Sequence, residues 1–230
     1  MALIDKLSAI GDAIRAKTGK TATMTLDEMP TEIASIQTGG GSTDPYEVAR
    51  KLANRSITEY VDDKITTIAQ YAFRGCNKLT IVDLPNVKSI ATNAFYGTAV
   101  KSFYFPSVTS VESNGFNANN SLISINFPIA TSIGTHCFRE CYDLKTADFG
   151  VLTKIVANLF YNCRRLTAVI LRSETKATLD NTSAFTNCRH FHGTVDSTYN
   201  PNGDKDGYIY VPAALIEDYK VATNWTTFAS

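Results

Sequence analysis

The segment NGDKDGY, residues 202–208, has the carboxylate and amide spacing of a calcium-binding loop. Asn202, Asp204, Asp206 and Gly207 occupy positions 1, 3, 5 and 6 of such a loop. Position 12 is Ala213, where a calcium loop has a bidentate glutamate, so two oxygen ligands and a charge are missing. The pattern favours an acidic turn, and Asn202, Asp204 and Asp206 are only weak candidates for a cation site.

A second group of potential ligands is CRHFH, in which Cys188, His190 and His192 would share one face of an alternating segment. Cysteine and histidine are the usual zinc ligands. A zinc site also needs a fourth ligand from elsewhere, and the sequence identifies none. We therefore predict no metal site and no cofactor, and we interpret His136 as a variable turn residue.

Four of the five cysteines occupy one position of an internal repeat, three residues after a phenylalanine. They are Cys76, Cys141, Cys163 and Cys188, and the same position holds Thr98 and Asn119 in other units. The fifth, Cys137, stands where other units have alanine. Free cysteine packs like a small apolar residue, so we predict five buried, reduced cysteines.

The sequence contains no arrangement typical of catalysis. It lacks the glycine patterns that bind phosphates or dinucleotides, a nucleophile elbow and an HExxH motif. Carboxylates such as Asp62 and Asp63 are scattered along the chain. We therefore expect no enzymatic activity.

Charge and hydropathy also exclude classes of partner. The 22 basic and 22 acidic residues cancel, so no overall field favours nucleic acid or an anionic membrane. No uninterrupted apolar run has the roughly 20 residues of a transmembrane helix. The start, MALIDKLSAIGDAIRAK, lacks the basic and then continuously apolar pattern of a signal peptide, so classical secretion is not expected.

The dominant pattern is a repeat marked by phenylalanine. Phe73, Phe95, Phe116, Phe138 and Phe160 follow one another at 22, 21, 22 and 22 residues, and Phe185 follows after 25. This period is typical of solenoids, in which stacked units supply the core that one unit cannot form. We predict a mainly β repeat solenoid whose short strands pair in parallel.

Each unit has a short strand before its phenylalanine and a second alternating strand after it. In the second strand, such as SINF at 124–127, alternate residues should face inward and solvent. The solvent-facing positions form a ladder, as on the binding surfaces of repeat proteins. Its candidate binding residues are Asp83, Tyr104, Asn126 and Asp148, whose aromatic and polar groups could hold a sugar or a peptide.

The N-terminal segment carries two apolar stripes at helical spacing. The first is formed by Leu3, Leu7, Ile10 and Ile14, and the second by Leu26, Met29, Ile33 and Ile36. Pro30 as a first helical residue and TLDE as a capping box place the start of the second helix differently. Residues 1–37 are too few for a stable core alone, so we predict an attachment or self-association module. The remaining predicted parts are a flexible linker at 38–44, a cap at 45–63, repeats at 64–195 and a strand and helix cap at 196–230.

Two resemblances add to this interpretation. The units KSIATNAFYGTAVKSFYFP and TSIGTHCFRECYDLKTADF resemble the BspA-like class of leucine-rich repeats, over about residues 64–195. Unit two lacks one residue, with GTAV for GCNKL, and unit six lacks the apolar pattern of the second strand. The opening LIDKLSAIGDAIRAKTGKTATMTLDEMPTEIASI is similar to a module on tail-associated structural proteins of phages and prophages of Gram-positive bacteria.

The second resemblance implies a virion structural protein of the phage tail or fibre. Residues 1–37 would attach it to other virion proteins, and the repeats would be displayed to a glycan or protein of the host surface. The alternative is an adhesin or interaction module on the bacterial cell surface, with the same repeats. A homo-oligomer is expected in either case, because the N-terminal stripes need a partner.

Overall fold

Short strands occur in pairs along the chain, in the order the repeat predicts. The computed structural model describes Ala53, residues 55–191 and residues 207–228. The strands are β1 (Glu59–Val61), β2 (Thr67–Ile68), β3 (Ile81–Asp83), β4 (Ser89–Ile90), β5 (Ser102–Tyr104), β6 (Ser110–Val111), β7 (Ser124–Phe127), β8 (Ser132–Ile133), β9 (Thr146–Phe149), β10 (Lys154–Ile155), β11 (Ala168–Leu171), β12 (Thr178–Leu179) and β13 (Tyr208–Tyr210).

A coil consists of an even-numbered strand, a turn that carries the marker phenylalanine and the next odd-numbered strand. Coil one contains β2, Phe73 and β3, and coil six contains β12, Phe185 and β13. Strands of successive coils pair in parallel, in one sheet ordered β5, β7, β9, β11, β13 and another ordered β2, β4, β6, β8. The predicted parallel repeat solenoid is confirmed.

The core is a stack of phenylalanine rings along the axis of the column. The six marker phenylalanines have no solvent exposure. The rings of neighbouring coils lie 5.0 to 5.7 Å apart, with planes within 23° of parallel. Phe103, Phe127 and Phe149 of the odd-numbered strands and Phe105, which directly follows β5, pack beside this stack. Each ring is buried by its neighbours above and below, so one coil alone could not form this core.

The turns contain backbone in the left-handed conformation at two fixed places. The residues two before and two after the marker phenylalanine have φ of 56 to 71° in coils one to five. They direct N–H groups along the axis: Gly75 N donates to Tyr96 O at 2.7 Å, and Asn114 N to Thr135 O at 3.1 Å. Asparagine and glycine recur at these places because they tolerate this conformation best. His136 has this conformation as well.

Coil two departs from the pattern because its turn is one residue shorter. Among the described strands, β3 pairs only with β1 and not with β5. The alternating pattern places Asp83 in the same ladder as Tyr104, but this break leaves Asp83 in a separate two-stranded sheet. The missing residue also changes the partner of Thr98, whose N–H donates to the side-chain oxygen of Asn119 at 2.6 Å.

Coil six ends differently from the others. A 3-10 helix, Thr182–Phe185, replaces the first left-handed turn residue. Cys188 and His190 lie outside the described strands, so the alternating strand expected for CRHFH is not formed at these two residues. His192 and the loop candidates Asn202, Asp204 and Asp206 lie outside the described residues.

The C-terminal residues 207–228 pack against the last coils of the column. They contain the 3-10 helices Ala213–Leu215 and Trp225–Phe228, with the α-helix α1 (Ile216–Lys220) between them. Trp225 Nε1 donates to Ala177 O at 2.8 Å, and Ala177 N donates to the Tyr219 hydroxyl oxygen at 2.7 Å. The cap thus provides a hydrogen-bond partner for both the N–H and the carbonyl group of Ala177.

Some predictions concern residues that the structure does not describe. They include the N-terminal stripes, the linker at 38–44 and the first part of the cap expected at 45–63. Within the described part of the chain, no helix is both long and apolar enough to cross a bilayer.

Candidate binding surface

The solvent-facing side of β5, β7, β9, β11 and β13 is a continuous surface, which we call the strand face. One row across its five strands is Tyr104, Asn126, Asp148, Ile170 and Tyr210. The adjacent row is Ser102, Ser124, Thr146, Ala168 and Tyr208. Three of the four predicted binding residues therefore lie next to one another, and the fourth, Asp83, lies outside.

Tyrosines stand at both ends of the strand face. Tyr104 is 64% exposed on β5, while Tyr208 and Tyr210 are 58% and 52% exposed on β13. At about 4.8 Å per strand, the four intervals from Tyr104 to Tyr210 span roughly 19 Å. Between the tyrosines at the two ends, the second row has small side chains. The tyrosines therefore border a mostly polar surface of small side chains.

The middle of the strand face carries an ion pair. Arg172 donates through Nε and a terminal nitrogen to the two carboxylate oxygens of Asp148, at 2.9 and 2.7 Å. The hydrogen bonds and charge of Asp148 raise the pKa of Arg172. The Asp148 side chain is only 14% exposed, against 61% for Arg172. A ligand here would therefore meet the guanidinium more readily than the carboxylate.

The repeat pattern offered signals for the residues that the sequence prediction omitted. Arg172 follows β11 at the corner where coils two and three have Pro106 and Pro128, so a charged residue there is a departure from the pattern. Tyr208 and Tyr210 belong to the alternating segment YIY, whose tyrosines face outward around the half-buried Ile209. The segment was expected only as part of a cap, but it pairs with β11 and extends the face.

The five cysteines are free and buried, as predicted. Burial raises the pKa of the Cys76 thiol to about 11 and that of Cys141 to about 12. Cys141, Cys163 and Cys188 each place Sγ 3.0 to 3.2 Å from the carbonyl oxygen of the marker phenylalanine of the preceding coil. These protonated thiols stabilise coil stacking and are poor nucleophiles, because the thiolate is the reactive form.

No metal centre is formed by the described residues. They contain no cluster of three or more histidine, cysteine or acidic side chains that could hold an ion. The strand face likewise brings together no acid, base and nucleophile. Its residues can stack on, hydrogen-bond and pair with a ligand, which is the chemistry of recognition.

Comparison with known proteins identifies the repeat. The family model of the BspA type leucine-rich repeat region matches six copies over residues 52–167. A search of curated proteins finds no match. The family match begins after the N-terminal segment, so the resemblance of residues 1–37 to a phage tail module stays a prediction.

Three solved structures are similar to this chain. A leucine-rich repeat protein of T. pallidum is 22% identical, covering 65% of this chain and 71% of its own, with a TM-score of 0.49. A leucine-rich repeat protein of Bacteroides ovatus is 20% identical (57% and 47% covered, TM-score 0.39). A leucine rich cell surface protein of Faecalibacterium prausnitzii is 17% identical (78% and 64% covered, TM-score 0.33). Because the family model matches just over half of the 230 residues, the chain belongs to the BspA type leucine-rich repeat family.

Proposed function

We propose that the protein is a non-enzymatic binding protein whose strand face holds a glycan or a protein of a cell surface. The main support for this proposal is the row formed by Tyr104, Asn126, Asp148, Ile170 and Tyr210, which are aligned on one five-stranded sheet. Leucine-rich repeat proteins generally mediate interactions through such extended surfaces, and the family is typically non-enzymatic.

The rigidity of the sheet supports this proposal. The inward partners of the row, Phe103, Ile125, Ala147 and Val169, are at most 2% exposed. The backbone beneath the face is therefore fixed before a ligand arrives. A tyrosine has few rotatable bonds and offers a large contact area, so ordering it costs little entropy. Tyrosine and arginine are also the residues that most often dominate binding energy.

The test removes the two terminal tyrosines of the row. The full chain would be titrated against an immobilised panel of bacterial surface glycans and against purified cell-surface protein fractions. For a ligand found in this way, the double variant Tyr104→Ser, Tyr210→Ser should weaken binding at least about tenfold, because each lost ring contact contributes on the order of 1 kcal/mol. The matched control Val221→Ser removes a side chain that is 78% exposed on the cap. Equal affinity in both variants would contradict the proposal.

We further propose that this binding protein is a phage or prophage virion component. The support is the resemblance of residues 1–37 to the tail-associated module and the two apolar stripes that need a partner. Mass spectrometry of gradient-purified particles from the source should find the chain at stoichiometric copy number. Its absence from particles and presence on the cell would instead favour the adhesin alternative.

Attachment through residues 1–37 has its own test. Replacing Leu7 and Ile10 with aspartate places two charges in the first apolar stripe and should abolish assembly into particles, or self-association measured by light scattering. The circular dichroism of the repeats should not change, because their core is formed by other residues. Unchanged assembly in this variant would exclude the module as the attachment piece.

A further inference from the structure

The turns that carry the marker phenylalanines form one side of the column, the turn side, which in the first two coils carries basic residues without acidic ones. The turn segments of coils one and two, residues 69–80 and 91–101, contain Arg74, Lys78 and Lys101 and no aspartate or glutamate. The chain as a whole has no net charge. This local excess is therefore a feature of the surface and does not follow from composition.

Two tyrosines hold Arg74 in place. Its guanidinium carbon lies 5.3 Å from the ring centroid of Tyr71 and 5.4 Å from that of Tyr96, one coil away. Tyr71 is 47% exposed, so the stack faces solvent. Stacking uses the flat faces of a guanidinium and leaves the N–H groups at its edge able to bind a carboxylate in a bidentate manner.

A second arginine, Arg55, reaches the same turn. The Cδ, Nε and one terminal nitrogen of Arg55 are each 3.5 Å from the place where a Cβ on Gly75 would stand. Gly75 directly follows Arg74, and Arg55 and Lys78 are both exposed. We call Arg55, Arg74, Lys78, Tyr71 and Tyr96 the basic cradle.

The cradle differs from the pair formed by Arg139 and Tyr161 in coils four and five. Arg139 stacks on Tyr161, but its Nε and a terminal nitrogen already contact Glu140 at 3.1 and 3.0 Å. Arg165 pairs with Asp143 at 3.0 Å. No described carboxylate forms an ion pair with Arg55, Arg74 or Lys78. Within the described residues, the basic side chains of the cradle therefore have no carboxylate partner.

We propose that the basic cradle binds an acidic segment of a partner protein, as a second site separate from the strand face. Two guanidinium groups and a lysine ammonium on neighbouring parts of the same turn can bind two or three carboxylates. The patch extends over two coils, roughly 10 Å, which is short for a nucleic acid or another long polyanion, whose binding grows with the number of charges neutralised. Beyond it, the turn segment of coil three, residues 112–123, contains Glu112 and no basic residue.

The test uses a fluorescein-labelled decapeptide of alternating glutamate and glycine, titrated with the full chain and followed by anisotropy. A peptide with glutamine for glutamate should not bind. The double variant Arg55→Gln, Arg74→Gln should weaken binding of the acidic peptide at least about tenfold, since it removes charge-assisted hydrogen bonds. Lys88→Gln with Lys176→Gln removes the same charge from exposed positions that precede strands of the other sheets, and should change affinity less than about twofold.

A conservative pair of variants tests the role of the stack. Arg74→Lys keeps the charge but loses the fork, and Tyr96→Leu keeps apolar bulk but loses the ring; each should weaken binding by about threefold or more. Circular dichroism of every variant confirms that it is folded. If the cradle variants and the lysine control lose equal affinity for the acidic peptide, binding depends only on the net charge of the protein, and the proposal is overturned. Binding of polygalacturonate in place of the peptide would overturn it in favour of an anionic polysaccharide.

Discussion

At the residue scale, the turn conformation explains why certain residue types recur. The place two residues after the marker phenylalanine is Gly75, Gly97, Ala118, Glu140, Asn162 and Asn187 in successive coils, and all six have positive φ. Ala118, with φ of 59°, is a residue that disfavours this region. The repeat therefore keeps the backbone conformation and accepts an energetic cost in some coils.

Exchanging residues at this place should change stability in opposite directions. Ala118→Gly should raise the free energy of unfolding by about 1 kcal/mol, because glycine adopts positive φ without the Cβ clash. Gly97→Ala should lower it by about the same amount. No atom lies within 4 Å of a Cβ added at Gly97, so the effect there is conformational alone. Urea unfolding measures both, and changes of the same sign would contradict the explanation.

The buried thiols should make stability fall in mild alkali. Folding raises the pKa of Cys76 to about 11 and of Cys141 to about 12, by burial. The unfolded thiols ionise near pH 8.5, so the folded state binds more protons above that pH and stability decreases as pH rises. Between pH 8.5 and 10, Cys141→Ala should reduce the slope by at most ~1.4 kcal/mol per pH unit. An unchanged slope would contradict the assignment.

The oxidation state of the cysteines is checked by thiol titration of the same protein. Unreduced, denatured chain should react with five equivalents of reagent, because all five thiols are free. The native chain should react much more slowly, because every cysteine is buried and its thiolate is disfavoured. Fewer than five equivalents after denaturation would indicate a disulfide.

At the scale of elements, alternation and spacing predicted most of the fold. The strands before and after each marker phenylalanine, their parallel pairing and the inward residues of the second strands could be derived because a period near 22 leaves one stacking register. The break between β3 and β5 could not, since the consequence of one missing residue depends on how neighbouring backbones pair. That β13 is the second strand of coil six could not be predicted either, because a long segment separates it from β12 and breaks the spacing of the repeat.

The candidate sites were predictable in part. Tyr104, Asn126 and Asp148 follow from the outward positions of equivalent strands. Their connection to Tyr210 required the pairing of β11 with β13, because the spacing changes in coil six. In the basic cradle, Arg55 reaches Gly75 and Arg74 stacks on Tyr96 of the next coil, and such contacts leave no periodic signal in the sequence.

Because coil two is shortened, we predict that introducing the common repeat residue, cysteine, at position 119 destabilises the protein. Asn119 Oδ1 accepts the Thr98 N–H at 2.6 Å and its hydroxyl at 2.8 Å, while Nδ2 donates to Phe116 O at 2.9 Å. Equivalent N–H groups, such as that of Cys141, donate to the phenylalanine of their own coil. Asn119→Cys restores the common residue but leaves the Thr98 N–H buried without this acceptor. It should cost about 1–3 kcal/mol.

Urea unfolding of Asn119→Cys would be compared with that of Asn120→Ala, a change at the neighbouring exposed residue. The control should stay within about 0.5 kcal/mol of the parent chain. A neutral or stabilising Asn119→Cys would show that Thr98 finds another acceptor and that the shortened turn can relax.

At the scale of the whole molecule, the column is a one-dimensional array whose stability depends on contacts between neighbouring coils. The phenylalanine stack and the turn hydrogen bonds connect each coil to the next. The last coil has a neighbour on one side only, and the C-terminal cap supplies the other. Phe228 of the cap contacts Phe185 with ring centroids 5.0 Å apart, so the aromatic stack continues into the cap.

Trp225 should therefore control the stability of the column's end. It is 3% exposed, bonds Ala177 O and packs edge-on against Tyr219 at 5.1 Å. Trp225→Ala removes this packing and should cost about 3–5 kcal/mol, whereas Val221→Ala, at a cap residue that is 78% exposed, should stay within about 0.5 kcal/mol. Hydrogen exchange should show the largest loss of protection in coils five and six and a smaller loss in coil one, because nearest-neighbour coupling decays along the array. A uniform loss in all coils would instead mean that the column unfolds as one cooperative unit, and protection unchanged in coil six would show that the cap does not stabilise it.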